Sequence, residues 1–176
     1  CKRALAENEV DIEKALDFLR KKGLAKAQKR AGRATSEGVI FPYIHTGSKL
    51  GVMVEINCES DFVAKTDDFL EFAKNIAMHI AAANPAGLNP EDIPEEVVAR
   101  EREIYRAQAL EQGKPENILD KIVDGQVQKF YKDSCLMSQP YIRDPKKTIA
   151  EITTEAIAKI GENILVKRFV RFQIGE

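Results

Sequence analysis

The histidines and cysteines of this 176-residue chain, the side chains most given to metal and nucleophilic chemistry, are few and scattered. Two histidines, His45 and His79, stand far apart, so a Cys–His dyad has no local basis. His79 has no second His, Cys or carboxylate at ligand spacing, and His45 sits beside a turn, where it reads as a solvent-exposed residue. Cys1, Cys58 and Cys135 are odd in number and show no C-x-x-C spacing, which fits a reducing compartment rather than a disulfide framework. Cys58 and Cys135 read as small buried thiols. The chain contains no G-x-S-x-G, no phosphate-cradling glycine loop and no H-E-x-x-H. Glu55 and Glu59 are close in sequence, but nothing pairs them with a nucleophile. The expectation is therefore a protein that is not an enzyme and that holds no metal and no cofactor.

The chemistry that remains is recognition, and one stretch carries it. Asn57-Cys58-Glu59-Ser60-Asp61-Phe62-Val63-Ala64-Lys65 places an acid and a large aromatic in a short connection. Ser60 and Asp61 are residue types whose oxygens accept the free N–H groups of a helix start. Two readings follow. In one, Asp61 caps a single helical turn, and Phe62 and Val63 are tucked into the core. In the other, Phe62 protrudes beside a charged neighbour, as an anchor for a partner's pocket does.

The elements that must hold this stretch are clear from periodicity. Before it, Leu50, Val52, Val54 and Ile56 alternate on one face of a strand. An earlier strand, with Val39, Phe41 and Tyr43 alternating with Ile40 and Ile44, pairs with it through a turn at Thr46-Gly47. Pro42 gives that first strand a free edge. After the stretch, Thr66 to about Ala83 is an amphipathic helix with Phe69, Ala73, Ile76 and Ile80 in one stripe, and Asp67 and Asp68 at its positive end. A helix then runs from Pro94 to Gly113, with Val97, Ile104 and Tyr105 turned from water. Another starts at Pro115, with a stripe of Ile118, Ile122, Val123, Val127, Phe130 and Tyr131; Gly125 is a possible break. Cys135 to Pro145 reads as irregular. Thr148-Ile149-Ala150-Glu151 is a capping box that opens a helix ending at Gly161. Ile164 to Ile174 is a last strand, with Val166, Val170 and Phe172 on one face and Leu165 and Phe169 on the other. The fold class is α+β, with about three antiparallel strands and helices packed around them.

At the other end, residues 1–22 read as two short helices, the second capped by Asp11, with Gly23 where a helix would stop. The chain opens within a helical pattern and without an initiator Met, so residues upstream of Cys1 are expected. From Arg20 to Arg33 there are seven basic residues and no acid. That strip is a solvated linker, a nucleic-acid contact without interleaved aromatics, or a positive rim facing an acidic protein. The net charge of −1 creates no overall basic field for nucleic acid. No apolar run approaches the roughly 18 residues of a membrane span.

Asn57-Cys58-Glu59-Ser60-Asp61-Phe62-Val63-Ala64 closely resembles the Asn-Cys-x-Thr-Asp-Phe-Val-Ala signature of the elongation factor Ts family. Ser60 stands where the family has Thr. Cys1-Lys2-Arg3-Ala4-Leu5, Asp11-Ile12-Glu13-Lys14-Ala15 and Leu19-Arg20-Lys21-Lys22-Gly23 resemble the family's N-terminal helical module. Ala158-Lys159-Ile160-Gly161-Glu162-Asn163-Ile164 and Arg168-Phe169 resemble its closing segment. The resemblance implies a remnant of a ubiquitin-associated-like (UBA-like) module at 1–23, a basic linker at 24–36 and a core and dimerisation domain at 37–176. It implies guanine-nucleotide exchange on elongation factor Tu during translation elongation in the cytoplasm, with no membrane and no direct nucleic-acid contact. It implies that Phe62 and Asp61 disturb the GTPase's Mg²⁺ site, that Ser60 and Val63 set their pose, and that Lys2 and Arg30 supply basic contacts. With only one hairpin of this type, the chain resembles the short form of the family, a homodimer forming a 2:2 complex. A nucleic-acid-binding module using residues 20–33 is the alternative.

Overall fold

The computed structural model describes Glu7 and residues 11–175. In chain order the elements are α1 (Ile12–Gln28), β1 (Glu37–Ile44), β2 (Leu50–Cys58), α2 (Asp61–Ala64) and α3 (Asp67–Ala83). They continue with α4 (Glu95–Glu111), α5 (Glu116–Ser134), β3 (Pro140–Tyr141), β4 (Asp144–Thr148), α6 (Ile149–Ile160) and β5 (Ile164–Gln173). The chain divides into two compact units, Cys1–Ala81 with Ala150–Glu176, and Ala82–Ile149.

The first unit is built on a three-stranded antiparallel sheet in the order β1-β2-β5. Its three strands are the expected ones, and Pro42 lies on an edge strand, where its missing N–H costs no ladder bond. Val52, Val54 and Ile56 turn one face inward and are buried. Other large buried side chains of the unit come from α3, with Phe69, Phe72, Ile76, His79 and Ile80, from Ile157 of α6, and from Ile164 and Val166 of β5. Two polar contacts tie these elements together. Lys159 of α6 reaches Asp68 of α3 at 2.7 Å, and the Arg171 guanidinium of β5 donates to the Ala81 carbonyl at 3.4 Å.

β5 departs from simple alternation. Glu55 faces Arg168, but the next residue, Ile56, faces Val166, so Lys167 is the extra residue of a β-bulge. A bulge inverts the parity of everything beyond it. Phe169 therefore shares the inner face with Ile164 and Val166, opposite Val54. Leu165, Val170 and Phe172 share the outer face, which corrects the grouping expected from a strict period of two. Among the described residues nothing in the unit covers that outer face: Ile40, Ile44, Met53, Leu165, Val170 and Phe172 are all exposed.

Gly38 shows how tightly β1 is seated. Its φ is +152°, and a side chain there would overlap the Ile56 carbonyl oxygen on β2. The obstructing groups, the Ile56 carbonyl and the Asn57 Cα, are backbone, so the strands would have to part. Gly38→Ala is expected to destabilise the protein by about 2 kcal/mol or more in urea unfolding, well above the usual effect of a surface change.

α1 is capped by Asp11, whose carboxylate accepts the Lys14 N–H at 3.1 Å. It does not stop at Gly23 but runs on to Gln28. Gly23 keeps helical backbone, and a Cβ there would stand 3.3 Å from the Ala158 Cβ of α6. The glycine serves a close helix–helix approach, not a helix end. Ala25 and Ala27, good helix formers, carry the helix onward, and Ala27 is buried.

The second unit is an antiparallel helix pair, α4 and α5, with a small hairpin. Arg102 meets Asp124 and Arg106 meets Asp120, each at 2.7 Å, so four steps forward on one helix match four steps back on the other. α5 is continuous through Gly125, with Leu119, Val123 and Val127 buried on either side of it. Burial of that stripe offsets the roughly 1 kcal/mol that glycine costs. On α4 the inward face differs from expectation. Val97 and Ile104 are exposed, and Ala109 is buried. Burial, and then the hydrogen bond with the Glu101 carboxylate, push the Tyr105 hydroxyl up to about 12. The segment expected to be irregular holds a helical turn at Leu136–Ser138 and the two-stranded β3-β4 hairpin. It is ordered by distant backbone: Leu136 and Met137 N–H groups donate to the Gly87 and Leu88 carbonyls.

Candidate functional site

β2 delivers the chain to the recognition stretch at Cys58, which is fully buried. Its thiol donates to the Ser60 carbonyl at 3.2 Å. Burial, and then the Glu162 carboxylate, push that thiol's pKa up, so Cys58 stays protonated and is a poor nucleophile. Ser60, not Asp61, is the cap of α2. Its backbone is extended and its Oγ accepts the Val63 N–H at 3.4 Å. This leaves Asp61 free in the first turn, where it pairs with Lys65 at 2.8 Å. Lys65 holds the Asp61 carboxyl below its usual range.

The geometry overturns the reading that tucks Phe62 into the core. Ala64 is buried and Val63 half-buried, but Phe62 is 83% exposed. In a four-residue helix only one side can face the body of the protein. Ala64 and the cap take that side, and Phe62 is left on the other. An exposed phenyl ring beside an ion pair has no folding role to explain it, because its burial would have been worth about 2–3 kcal/mol.

The turn is held by residues to which sequence reasoning gave no part in it. Glu162 Oε2 accepts the N–H groups of Glu59 and Ser60 at 3.1 and 3.0 Å, and its Oε1 accepts the Ser60 hydroxyl at 2.6 Å. In return, Glu59 Oε1 accepts the Asn163 N–H at 2.6 Å, and Arg33 reaches Glu59 Oε2 at 3.3 Å. The Asn163 amide donates to the Arg33 carbonyl at 2.9 Å, closing the ring. The Asn163 N–H, and after it Arg33, hold the Glu59 carboxyl below its usual range. A depressed carboxylate contributes stability above its unfolded pKa, and that stability is lost as pH falls through the folded value. This brace therefore belongs to neutral pH and loosens in acid. The signals in the sequence were the resemblance of 158–164 to the family's closing segment and the polar pair Glu162 and Asn163 directly after the helix-ending Gly161.

Of the residues expected to contact a partner, Ser60, Asp61, Phe62 and Val63 lie together on this turn. Arg30 lies elsewhere: its guanidinium donates to the Ile157 carbonyl near the end of α6 at 3.3 Å, a favourable place for a cation. Lys2 lies outside the described residues. His45 is exposed and its Nδ1 is 2.9 Å from the Tyr43 hydroxyl. No described helix is long and apolar enough to cross a membrane.

The family model described as elongation factor TS matches residues 24–176. Elongation factor Ts of Desulfosudis oleivorans is 64% identical over the whole of this chain and 89% of its own length. Elongation factor Ts of Solidesulfovibrio magneticus is 60% identical, again over the whole chain and 88% of its own length. Elongation factor Ts of Thermoanaerobacter sp. strain X514 is 57% identical, over the whole chain and 86% of its own length. A match that runs from the end of α1, through the braced aromatic turn, to the last strand means that this chain belongs to the elongation factor Ts family.

Proposed function

We propose that this chain is a guanine-nucleotide exchange factor for elongation factor Tu, acting in the cytoplasm during translation elongation and doing no bond chemistry of its own. The observation that carries the reading is Phe62, 83% exposed on a turn braced on its other side. A factor that speeds nucleotide loss must bind the nucleotide-free GTPase better than the loaded one. A loaded GTPase holds nucleotide partly through Mg²⁺, which demands near-ideal octahedral geometry. A ring wedged beside that site lowers nucleotide affinity without touching the nucleotide. In this reading Phe62 is the wedge and Asp61 enters beside it. Ser60, as the cap, and Val63, whose N–H it holds, set their pose.

Two further features fit the same reading. Lys26 and Lys29 are exposed at the end of α1, where a positive rim steers an acidic partner, and Arg30 and Lys2 are assigned to the same basic contact. The exposed apolar face of the sheet suits a second copy of the chain, so the active assembly is a homodimer carrying two GTPases.

The test is release of fluorescent GDP from elongation factor Tu. The chain should accelerate release catalytically at micromolar concentration. Lys26→Glu with Lys29→Glu should slow association severalfold at low salt and much less at 0.5 M salt, because screening removes steering. If the chain leaves GDP release unchanged and instead binds RNA or DNA oligonucleotides tightly, with that binding lost in the same variant, the basic strip is a nucleic-acid site and the exchange reading is wrong.

A further inference from the structure

We propose that Glu162 is the positioning residue of the Phe62 turn, setting the pose from which the ring meets a partner. The consequence for activity rests on the exchange reading above. α2 is four residues long, and a helix of one turn does not hold itself, because fixing its dihedrals costs more than its few bonds return. The pose must be imposed from outside. Glu162 does so from about a hundred positions away in sequence, through three bonds to Glu59 and Ser60. All three are made to a carboxylate, which makes them about twice as strong as neutral ones.

The Ser60 hydroxyl is the relay. It has one proton and two lone pairs. The proton goes to Glu162 at 2.6 Å, which fixes the rotor and leaves a lone pair for the Val63 N–H, next to Phe62. Glu162 therefore acts through Ser60 on the residue that follows the ring. Gly161 makes the arrangement possible. It leaves α6 at φ +94°, a backbone that other residues adopt only with strain, and so turns the chain directly into Glu162. Glu59 is not equivalent. Its carboxylate serves Asn163 and Arg33, on the far side of the brace, and touches no N–H of the turn.

The experiment compares Glu162→Ala, Glu162→Gln, Ser60→Ala and Phe62→Ala in the full chain by two readouts. The first is amide hydrogen exchange across residues 59–64. The second is GDP release from elongation factor Tu, separated into its plateau rate and its half-saturating concentration. Glu162→Ala should speed exchange at the Glu59, Ser60 and Val63 amides about tenfold or more, leaving the buried amides of β2 unchanged. Its plateau should fall about tenfold with the half-saturating concentration altered less than about threefold, since the rest of the interface is intact. Glu162→Gln keeps an acceptor for the backbone N–H groups and should recover most of the plateau. Ser60→Ala breaks only the relay, and should free Val63 and lower the plateau even if Glu162→Ala folds poorly. Unchanged turn amides in Glu162→Ala or Ser60→Ala would overturn the brace. A plateau lowered by Phe62→Ala but not by the Glu162 and Ser60 variants would overturn the positioning role alone. A plateau untouched by Phe62→Ala would remove the wedge, and this inference with it.

Discussion

Phe62→Ala is expected to slow factor-stimulated GDP release from elongation factor Tu by about 30-fold or more while leaving the melting temperature of the protein nearly unchanged. The two halves of this result have separate causes. An aromatic anchor that fills a partner's pocket is worth about 2 kcal/mol or more of interaction, which corresponds to the rate loss. The same ring is 83% exposed in the free protein, so truncating it leaves no cavity, and the folding cost should stay within about 0.5 kcal/mol. Phe69 supplies the contrast. It lies seven residues on, at the start of α3, and is fully buried. Phe69→Ala should cost about 3–5 kcal/mol in stability through lost transfer energy and the cavity left behind. If the Phe62 variant melts far below the parent yet exchanges normally while folded, the ring is a packing residue and the anchor reading fails. Urea unfolding and stopped-flow release of labelled GDP, on the same two variants, give both numbers.

The second large effect is on assembly. The uncovered sheet face presents Ile40, Ile44, Met53, Leu165, Val170 and Phe172 together, a density of exposed apolar side chains that a soluble monomer rarely carries. Val170 stands beside Met53 in the β2–β5 register, near the middle of that face. Val170→Arg is expected to raise the dimer dissociation constant by about 100-fold or more, because an unpaired guanidinium would be buried at the centre of a self-complementary contact. In the monomer Val170 is 45% exposed, so the substitution should cost the isolated fold under about 1 kcal/mol. Light scattering at micromolar concentration should give the parent at twice the 19.7 kDa chain mass and the variant at that mass. A parent that scatters at 19.7 kDa, unchanged on tenfold concentration, would end the dimer proposal. A dimer also ties stability to concentration, so the parent's melting temperature should rise with protein concentration and the variant's should not.

What local pattern could decide, the amino-acid order decided. The three strands, the long helices and the Asp11 cap were legible because each follows from a periodicity of two or 3.6, or from a side chain reaching backbone three residues away. The motif at 57–65 marked the candidate site for the same reason: an acid and an aromatic between a strand and a helix is a local statement. What it could not decide was which way Phe62 pointed, since Ser60 and Asp61 were both competent caps. The choice fell to Glu162, which engages Ser60 across a separation of 102 residues. The outer face of β5 was misread because one inserted residue, Lys167, inverts parity only when the strand is laid against β2. Gly23 was misread because a glycine that stops a helix and one that lets another helix approach are the same letter. The difference is Ala158, standing 3.3 Å from where a side chain would begin. Elements are set by interactions within a few residues, which order alone specifies. The pose of the recognition ring, the sheet face left bare and the helix end are set by contacts between residues far apart in the chain, and those exist only once it has folded.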